Sequence, residues 1–168
     1  MLKLFTLTIF PLTTYEYVAD EKTWANALSD AQSRTLFGVN GYLATVTSAQ
    51  EQNDIISKFS PSTISFLGGS DAAVEGEWRW VNGPEINQQF WQGSISGTTV
   101  GGLYANWDSL QPDLSNEDYL HLRPNGRWNN APDYAIDYIV EYNGSPVSLT
   151  INQGSSNSIS MTDVEREL

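Results

Sequence analysis

Oxygen donors crowd one short stretch of this chain. Between Tyr104 and Asn130, YANWDSLQPDLSNEDYLHLRPNGRWNN holds Asp108, Gln111, Asp113, Asn116, Glu117, Asp118, Asn129 and Asn130. The stretch has no thiol and one imidazole, His121. A hard cation such as calcium takes roughly six to eight oxygen ligands from flexible loops. Zinc prefers nitrogen and sulfur and does not suit this set. Gln111-Pro112-Asp113 adds an X-Pro bond, the one peptide bond with an appreciable cis population, so Pro112 can point both neighbours the same way in a tight loop. On the residues alone a second reading stands beside the cation site: an acidic surface loop between two strands.

Several elements must position these donors. Tyr15 to Val18 alternates aromatic and polar residues and reads as an edge strand. Trp24, Ala27, Leu28 and Ala31 fall at i, i+3, i+4 and i+7, one face of a helix with Thr23 as its N-cap, and Gly38 and Gly41 mark the loop after it. Gly41 to Val46 is a short buried strand, and Ser48 with Glu51 forms a capping box for a second helix carrying Ile55, Ile56 and Phe59. Phe66-Leu67-Gly68-Gly69 reads as a buried central strand, followed by a strand with Trp78 and Trp80 on one face. Asn82 to Gly102 is a long Gly, Ser and Thr loop in which Phe90 and Trp91 plug into the core; such loops are usually functional or tethered. Tyr119 to Leu122 and Arg127 to Asn129 make a hairpin across Pro124-Asn125-Gly126, whose Asn-Gly pair suits positive φ. Tyr138 to Tyr142 closes the domain. His121, mid-strand, reads as structural, and Trp107 as core.

Taken together, QPD, then NEDY, then WNN resembles the binding end of a C-type lectin-like domain. Trp24-x-x-Ala27 followed by GYLATVTSAQEQ resembles that family's opening, Phe66-Leu67-Gly68-Gly69 its W-I-G-L strand, and the closing YIVEY its terminal I-C-E. The likeness covers residues 15–143. It implies an α+β fold, two helices flanking small antiparallel sheets with a long loop region at one end. It further implies a primary calcium site at Gln111, Asp113, Glu117, Asn129 and Asn130, whose side chains also bind sugar hydroxyls. The spacing of Asp71 and Glu75, with Asp118 as third ligand, resembles the family's accessory calcium site. Leu114 stands where a fourth ligand is common. Asn130 departs from the family's aspartate, leaving two formal charges in the primary set. The reversed order, amide Gln111 before carboxylate Asp113, goes in the family with galactose-type hydroxyl pairs, but Leu114 to Asn116 offer no aromatic ring for the sugar's apolar face.

The chain has no cysteine, so no disulfide and no thiolate site exists. The family's bridge positions fall on Ala31 with Val140, and on Tyr119 with Asp133 or Tyr134. Bridge-free members are common in bacteria, which implies a bacterial source.

The composition carries the rest. The length of 168 residues suits one domain with spare ends. A net charge of −12, from 20 acidic and 8 basic residues, argues against nucleic acid or anionic membrane as partners and accords with cation binding. Six Trp, eight Tyr and six Phe give the core its area. Residues 1–14, with Lys3 and an apolar run broken by Pro11, read as a signal-peptide remnant or a first strand, too short to span a bilayer. Residues 144–168 read as a Ser-rich tail or linker.

One His and no Cys leave few players for acyl transfer, so the chain reads as no enzyme. A glycosidase built on paired carboxylates such as Asp113 and Glu117 is a distant third reading. The leading expectation is an extracellular or cell-surface module that binds a glycan or glycoprotein weakly through Ca2+. Its alternative is a metal-independent protein-interaction or adhesion module on the same scaffold.

Overall fold

A computed structural model describes residues 4–9, 13–60, 62–113, 116–144 and 147–152, with backbone alone for 4–9 and 147–152. The elements run β1 (Leu4–Ile9), β2 (Thr14–Lys22), α1 (Trp24–Ser33), β3 (Thr35–Leu36), β4 (Val39–Asn40), β5 (Tyr42–Leu43), α2 (Ala49–Phe59) and β6 (Ser65–Ser70). They continue through β7 (Glu77–Trp80), β8 (Gln89–Gln92), β9 (Thr98–Thr99), β10 (Tyr119–Leu122), β11 (Trp128–Ala131), β12 (Ile136–Tyr142) and β13 (Val147–Asn152). This is the mixed α+β architecture expected.

β6 is the pivot. It pairs antiparallel with β7 and β10 and parallel with β12, and all six of its residues are buried. That explains its sequence, SFLGGS: close neighbours leave no room for side chains at the glycines. A Cβ on Gly68 would lie 2.4 Å from Asn82 Oδ1, and one on Gly69 would lie 2.8 Å from Leu120 Cδ2. The ladder then runs β11-β10-β6-β7-β8-β9. β12 joins from the other side, carrying β5 and β2. Among the described residues β2 pairs only with β12, as an edge strand should, and is longer than its alternating core suggests. β1 pairs with β13 in a separate two-stranded ribbon that draws together the segments expected as N-terminal segment and tail.

Two apolar clusters fill the domain. One gathers Ile55 of α2 with Leu67, Trp78, Trp80, Phe90, Leu120, Leu122, Trp128 and Ile139. The other gathers Trp24, Ala27 and Ala31 of α1 with Leu43, Phe66, Tyr138 and Val140. Ala31 and Val140 are both fully buried there, so apolar packing stands where the family places its first bridge. Gly41 is wedged beside both: a Cβ on it would lie 2.7 Å from Val140 Cγ1 and 2.8 Å from the Ala31 carbonyl.

Local signals differ in detail from expectation. Ser48 Oγ accepts from the Glu51 amide at 3.2 Å, as a capping box requires. Glu51 returns to the Thr47 amide and hydroxyl, at 2.6 and 2.9 Å, one residue before the cap. Thr23 does not cap α1 with its side chain. Asp133, a hundred residues on, accepts from the Trp24 amide at 2.7 Å instead. A local rule could not see that partner. Tyr119 stacks on the same Trp24 with ring centroids 4.8 Å apart, so Trp24 stands between the residues at the second bridge position. The long loop is more regular than its composition suggests. β8 zips onto β7 and β9 onto β8, and Phe90 stacks on Trp80 at 4.5 Å.

Candidate functional site

The hairpin of β10 and β11 and the loop before it build the site. Register pairs Leu120 with Asn130 and His121 with Asn129. The connecting turn is a three-residue loop: the Gly126 amide donates to Arg123 O at 2.9 Å, and Gly126 takes φ +78°. Asn125 is not in the positive-φ region; its side chain accepts from the Arg127 amide at 2.9 Å. So one residue of the Asn-Gly pair, not both, needs the left-handed conformation. Trp107 bridges to Trp128, and the Asp108 amide donates to Trp128 O at 2.8 Å, which sews the loop to β11.

Asp108 anchors the next turn. Its Oδ1 accepts from the Ser109 amide at 2.8 Å, and its Oδ2 accepts from Arg123 Nη1 at 2.8 Å and Asn125 Nδ2 at 3.0 Å. Those bonds, from Asn125 and Arg123 first, hold its carboxyl down at about 2. The Gln111 amide donates to Asp108 O at 3.1 Å, and Leu110, 68 % exposed, takes φ +63° at the tip. The Gln111–Pro112 bond is cis.

The five expected primary ligands fall in this region with different partners. Gln111 Oε1 is buried and accepts no hydrogen bond among the described residues. The Asp113 side chain is exposed, while its amide donates to Asn130 Oδ1 at 3.2 Å. Asn130 is 1 % exposed. Asn129 is also buried; its Nδ2 donates to Asn130 O, and its Oδ1 accepts from Arg123 Nη2 at 2.7 Å. Glu117 is half-buried, and burial, then the Asp113 carboxylate, push its carboxyl above the ordinary value against the pull of Arg123. Arg123 is the residue that sequence reasoning missed. It follows β10 directly, two residues beyond His121, and its amide donates to Arg127 O at 2.8 Å, so the hairpin held the signal.

Two of the accessory trio, Asp71 and Asp118, are joined through backbone. The Asp71 amide donates to Asp118 O at 3.2 Å. Asp71 is 4 % exposed; Oδ2 accepts from the Gly76 amide at 2.9 Å, whereas Oδ1 is buried without a partner. Burial, aided by Glu75 and Asp118, pushes its carboxyl up to about 6. The Glu75 side chain is exposed. Leu114 lies outside the described residues. Among the described residues no three Asp, Glu or His side chains converge as a closed cage. A small cavity of about 10 Å³ instead joins members of both sets, lined by Asp71, Glu75, Asp113 and Asn130 above Trp78. That is about the room one ion or water occupies.

The donor chemistry suits a hard cation. Every candidate offers oxygen, two of the primary five are carboxylates, and two buried oxygens, Gln111 Oε1 and Asp71 Oδ1, have no hydrogen-bond partner among the described residues. A buried acceptor without a partner is costly, and a cation relieves that cost. His121 belongs to the scaffold. It is 3 % exposed, and burial, with Arg123, pushes its imidazole down to about 4, so it is neutral near pH 7. The aromatic rings are engaged as well: Trp107 packs edge-on against Trp78 at 4.8 Å and against Trp128 at 6.0 Å, half-buried against the core rather than within it. Trp91 is half-buried and leans on Trp107 at 6.3 Å.

This fold, with its oxygen-rich end, defines a lectin-type binding domain. The family model for the lectin C-type domain matches residues 20–140, and the chain belongs to that family. It is 39 % identical to Halomucin of Haloquadratum walsbyi over 81 % of this chain, which is 2 % of that protein's length. It is 28 % identical to the alpha-N-acetylgalactosamine-specific lectin of Patiria pectinifera over 80 % of this chain and 76 % of that one. Among solved structures, the C-type lectin CEL-I from Cucumaria echinata superposes with a TM-score of 0.57 at 26 % identity, covering 77 % of this chain and 89 % of that one. Lectin domains are typically non-enzymatic and extracellular or surface-displayed, and their family generally binds calcium. Among the described residues no helix is long and apolar enough to cross a membrane.

Proposed function

We propose that residues 15–143 form a calcium-dependent carbohydrate-binding domain of the cell surface or extracellular space, with a weak preference for galactose-type ligands on a glycan or glycoprotein. The observation that carries this reading is Gln111 Oε1: buried, without a partner among the described residues, and next to Asp113, whose amide is bonded to Asn130. Gln111, Asp113, Glu117, Asn129 and Asn130 would hold the ion. Calcium would supply the charge on which two vicinal sugar hydroxyls settle. The side chains do the discriminating. A carboxylate only accepts, while a carboxamide offers both a C=O and an NH₂. Gln111 before Asp113 therefore fixes which hydroxyl meets a donor and which an acceptor. The relative from Patiria pectinifera, an alpha-N-acetylgalactosamine-specific lectin, supports the galactose-type reading. Asp71, Glu75 and Asp118 are proposed as a second, accessory calcium site. Residues 144–168 are proposed as a Ser-rich tail or linker.

A second reading rests on Arg123, which already donates to Asn129 Oδ1. If that guanidinium fills the ion's role, the scaffold serves metal-independent protein binding. Titrating calcium into the protein in a calorimeter separates the readings. Calcium should bind in the range of roughly 10⁻⁴–10⁻³ M typical of extracellular modules, and Glu117→Gln should remove most of the heat. Absence of any heat in both proteins would leave the metal-independent reading.

A further inference from the structure

Arg123 is held at both ends. One guanidinium nitrogen, Nη1, donates to Asp108 Oδ2 at 2.8 Å, and the other, Nη2, donates to Asn129 Oδ1 at 2.7 Å. Asn129 has a single side-chain oxygen, and its Nδ2 is committed to Asn130 O. The oxygen that Asn129 would offer a metal is thus already the acceptor of a permanently charged donor. Asp108 is fixed in its turn by the Ser109 amide and Asn125, so the fork is aimed rather than loosely tethered. Arginine's planar, always-protonated fork makes such a contact persistent across pH.

We propose that Arg123 is an internal competitor for calcium, setting the site's affinity by holding the Asn129 oxygen that the ion needs. The proposal rests on the calcium reading above and concerns how strongly that site is filled. A carboxamide oxygen has two lone pairs, so two donors can share it geometrically. Charge forbids the sharing. A guanidinium 2.7 Å from this oxygen and a calcium ion at roughly 2.3–2.6 Å from it would be close neighbours of like sign in a half-buried setting. The ion therefore enters as the guanidinium leaves Asn129. Asp108 is where it goes: the Nη1 bond already exists, and a second bond to the same carboxylate makes a bidentate pair. By linkage, whatever calcium does to the Arg123–Asn129 bond, that bond does to calcium.

A plainer role gives the opposite outcome. If Arg123 merely braces the Asp108 turn that leads into Gln111, removing it loosens the site and weakens calcium binding. Arg123→Met keeps the apolar stem and deletes the charge. Calorimetric calcium titrations of the wild-type chain and of R123M decide between the two. The competitor account predicts binding about tenfold tighter in R123M, as expected for freeing an acceptor from one charge-assisted bond. Arg123→Lys, which keeps the charge without the fork, should fall between. Equal or weaker binding in R123M overturns the proposal while leaving the calcium site standing. No binding by either protein overturns the calcium reading and the proposal with it. An independent readout needs no variant: the Arg123 side-chain Nε–H resonance of the wild-type protein should shift in step with calcium saturation. A resonance that stays fixed as calcium binds also overturns the proposal.

Discussion

Replacing Asn130 by aspartate should trade stability for calcium affinity. Asn130 is 1 % exposed and lines the same small cavity as Asp71 and Asp113. That cavity already resists negative charge, since burial holds the Asp71 carboxyl up at about 6. A further carboxylate there is a buried charge among like charges, costing on the order of 2 kcal/mol without a cation. For a chain of this length that corresponds to a fall in Tm of about 4–8 °C in chelator. With calcium present the same charge raises the formal count in the primary set from two to three. Affinity at such sites follows ligand charge, so Kd should tighten about tenfold, or about 1.4 kcal/mol. Differential scanning calorimetry in chelator and in excess calcium reads both effects from one variant. Asn130→Asp should melt lower than wild type in chelator and regain much of the loss in calcium. A variant with unchanged Tm in chelator and unchanged or weaker calcium affinity would refute the assignment of Asn130 to the site.

Other expectations follow from the scaffold. Glu141 is 4 % exposed, and burial pushes its carboxyl up to about 7 from 4.5, against hydrogen bonds from Tyr42 and the Thr45 amide. Because the folded value is the higher one, its contribution to stability is complete below about pH 4.5 and is lost as pH rises through about 7. The loss should reach about 3 kcal/mol, read by urea denaturation from pH 5 to pH 8, and Glu141→Gln should flatten that slope. An equal slope in the variant would place the titration elsewhere. Asp133→Ala removes the acceptor of the Trp24 amide and should cost about 1 kcal/mol, like a lost helix cap, whereas Thr23→Ala should cost little. Leu110→Gly should leave stability unchanged or raise it by up to about 1 kcal/mol, since leucine at φ +63° is strained and glycine is not. A larger loss in the urea midpoint would mean that the Leu110 side chain is packed.

Much of this was legible because local chemistry and tertiary demand agree. The apolar spacing of Trp24, Ala27 and Ala31 marks a buried helix face, and the glycines of β6 mark close approach. Ser48 caps α2 because its partner, Glu51, is three residues away. Where local reasoning fell short, the deciding partner lay outside the motif being read. Thr23 has the residue type of a cap, but Asp133 does the capping from across the fold. The loop from Asn82 to Gly102 has a loop's composition, yet β7 offered an edge on which Gln89–Gln92 could pair. In the site, residue types marked Gln111, Asp113, Asn129 and Asn130 as donors. Only the register of β10 on β11 and the reach of an arginine show that Asn129 already has a cation for company. Periodicity and motif carry no information about such a contact.

The central claim is that sugar binding goes through calcium at the QPD end, and a glycan array probed twice tests it most directly. In calcium, the domain should bind galactose-type ligands weakly. In chelator, and with Glu117→Gln in calcium, that binding should disappear. Calcium-dependent binding confined to mannose or glucose would contradict the role given to the Gln111–Asp113 order. Binding that survives chelation, or no glycan binding in either condition, would contradict the calcium-lectin account itself.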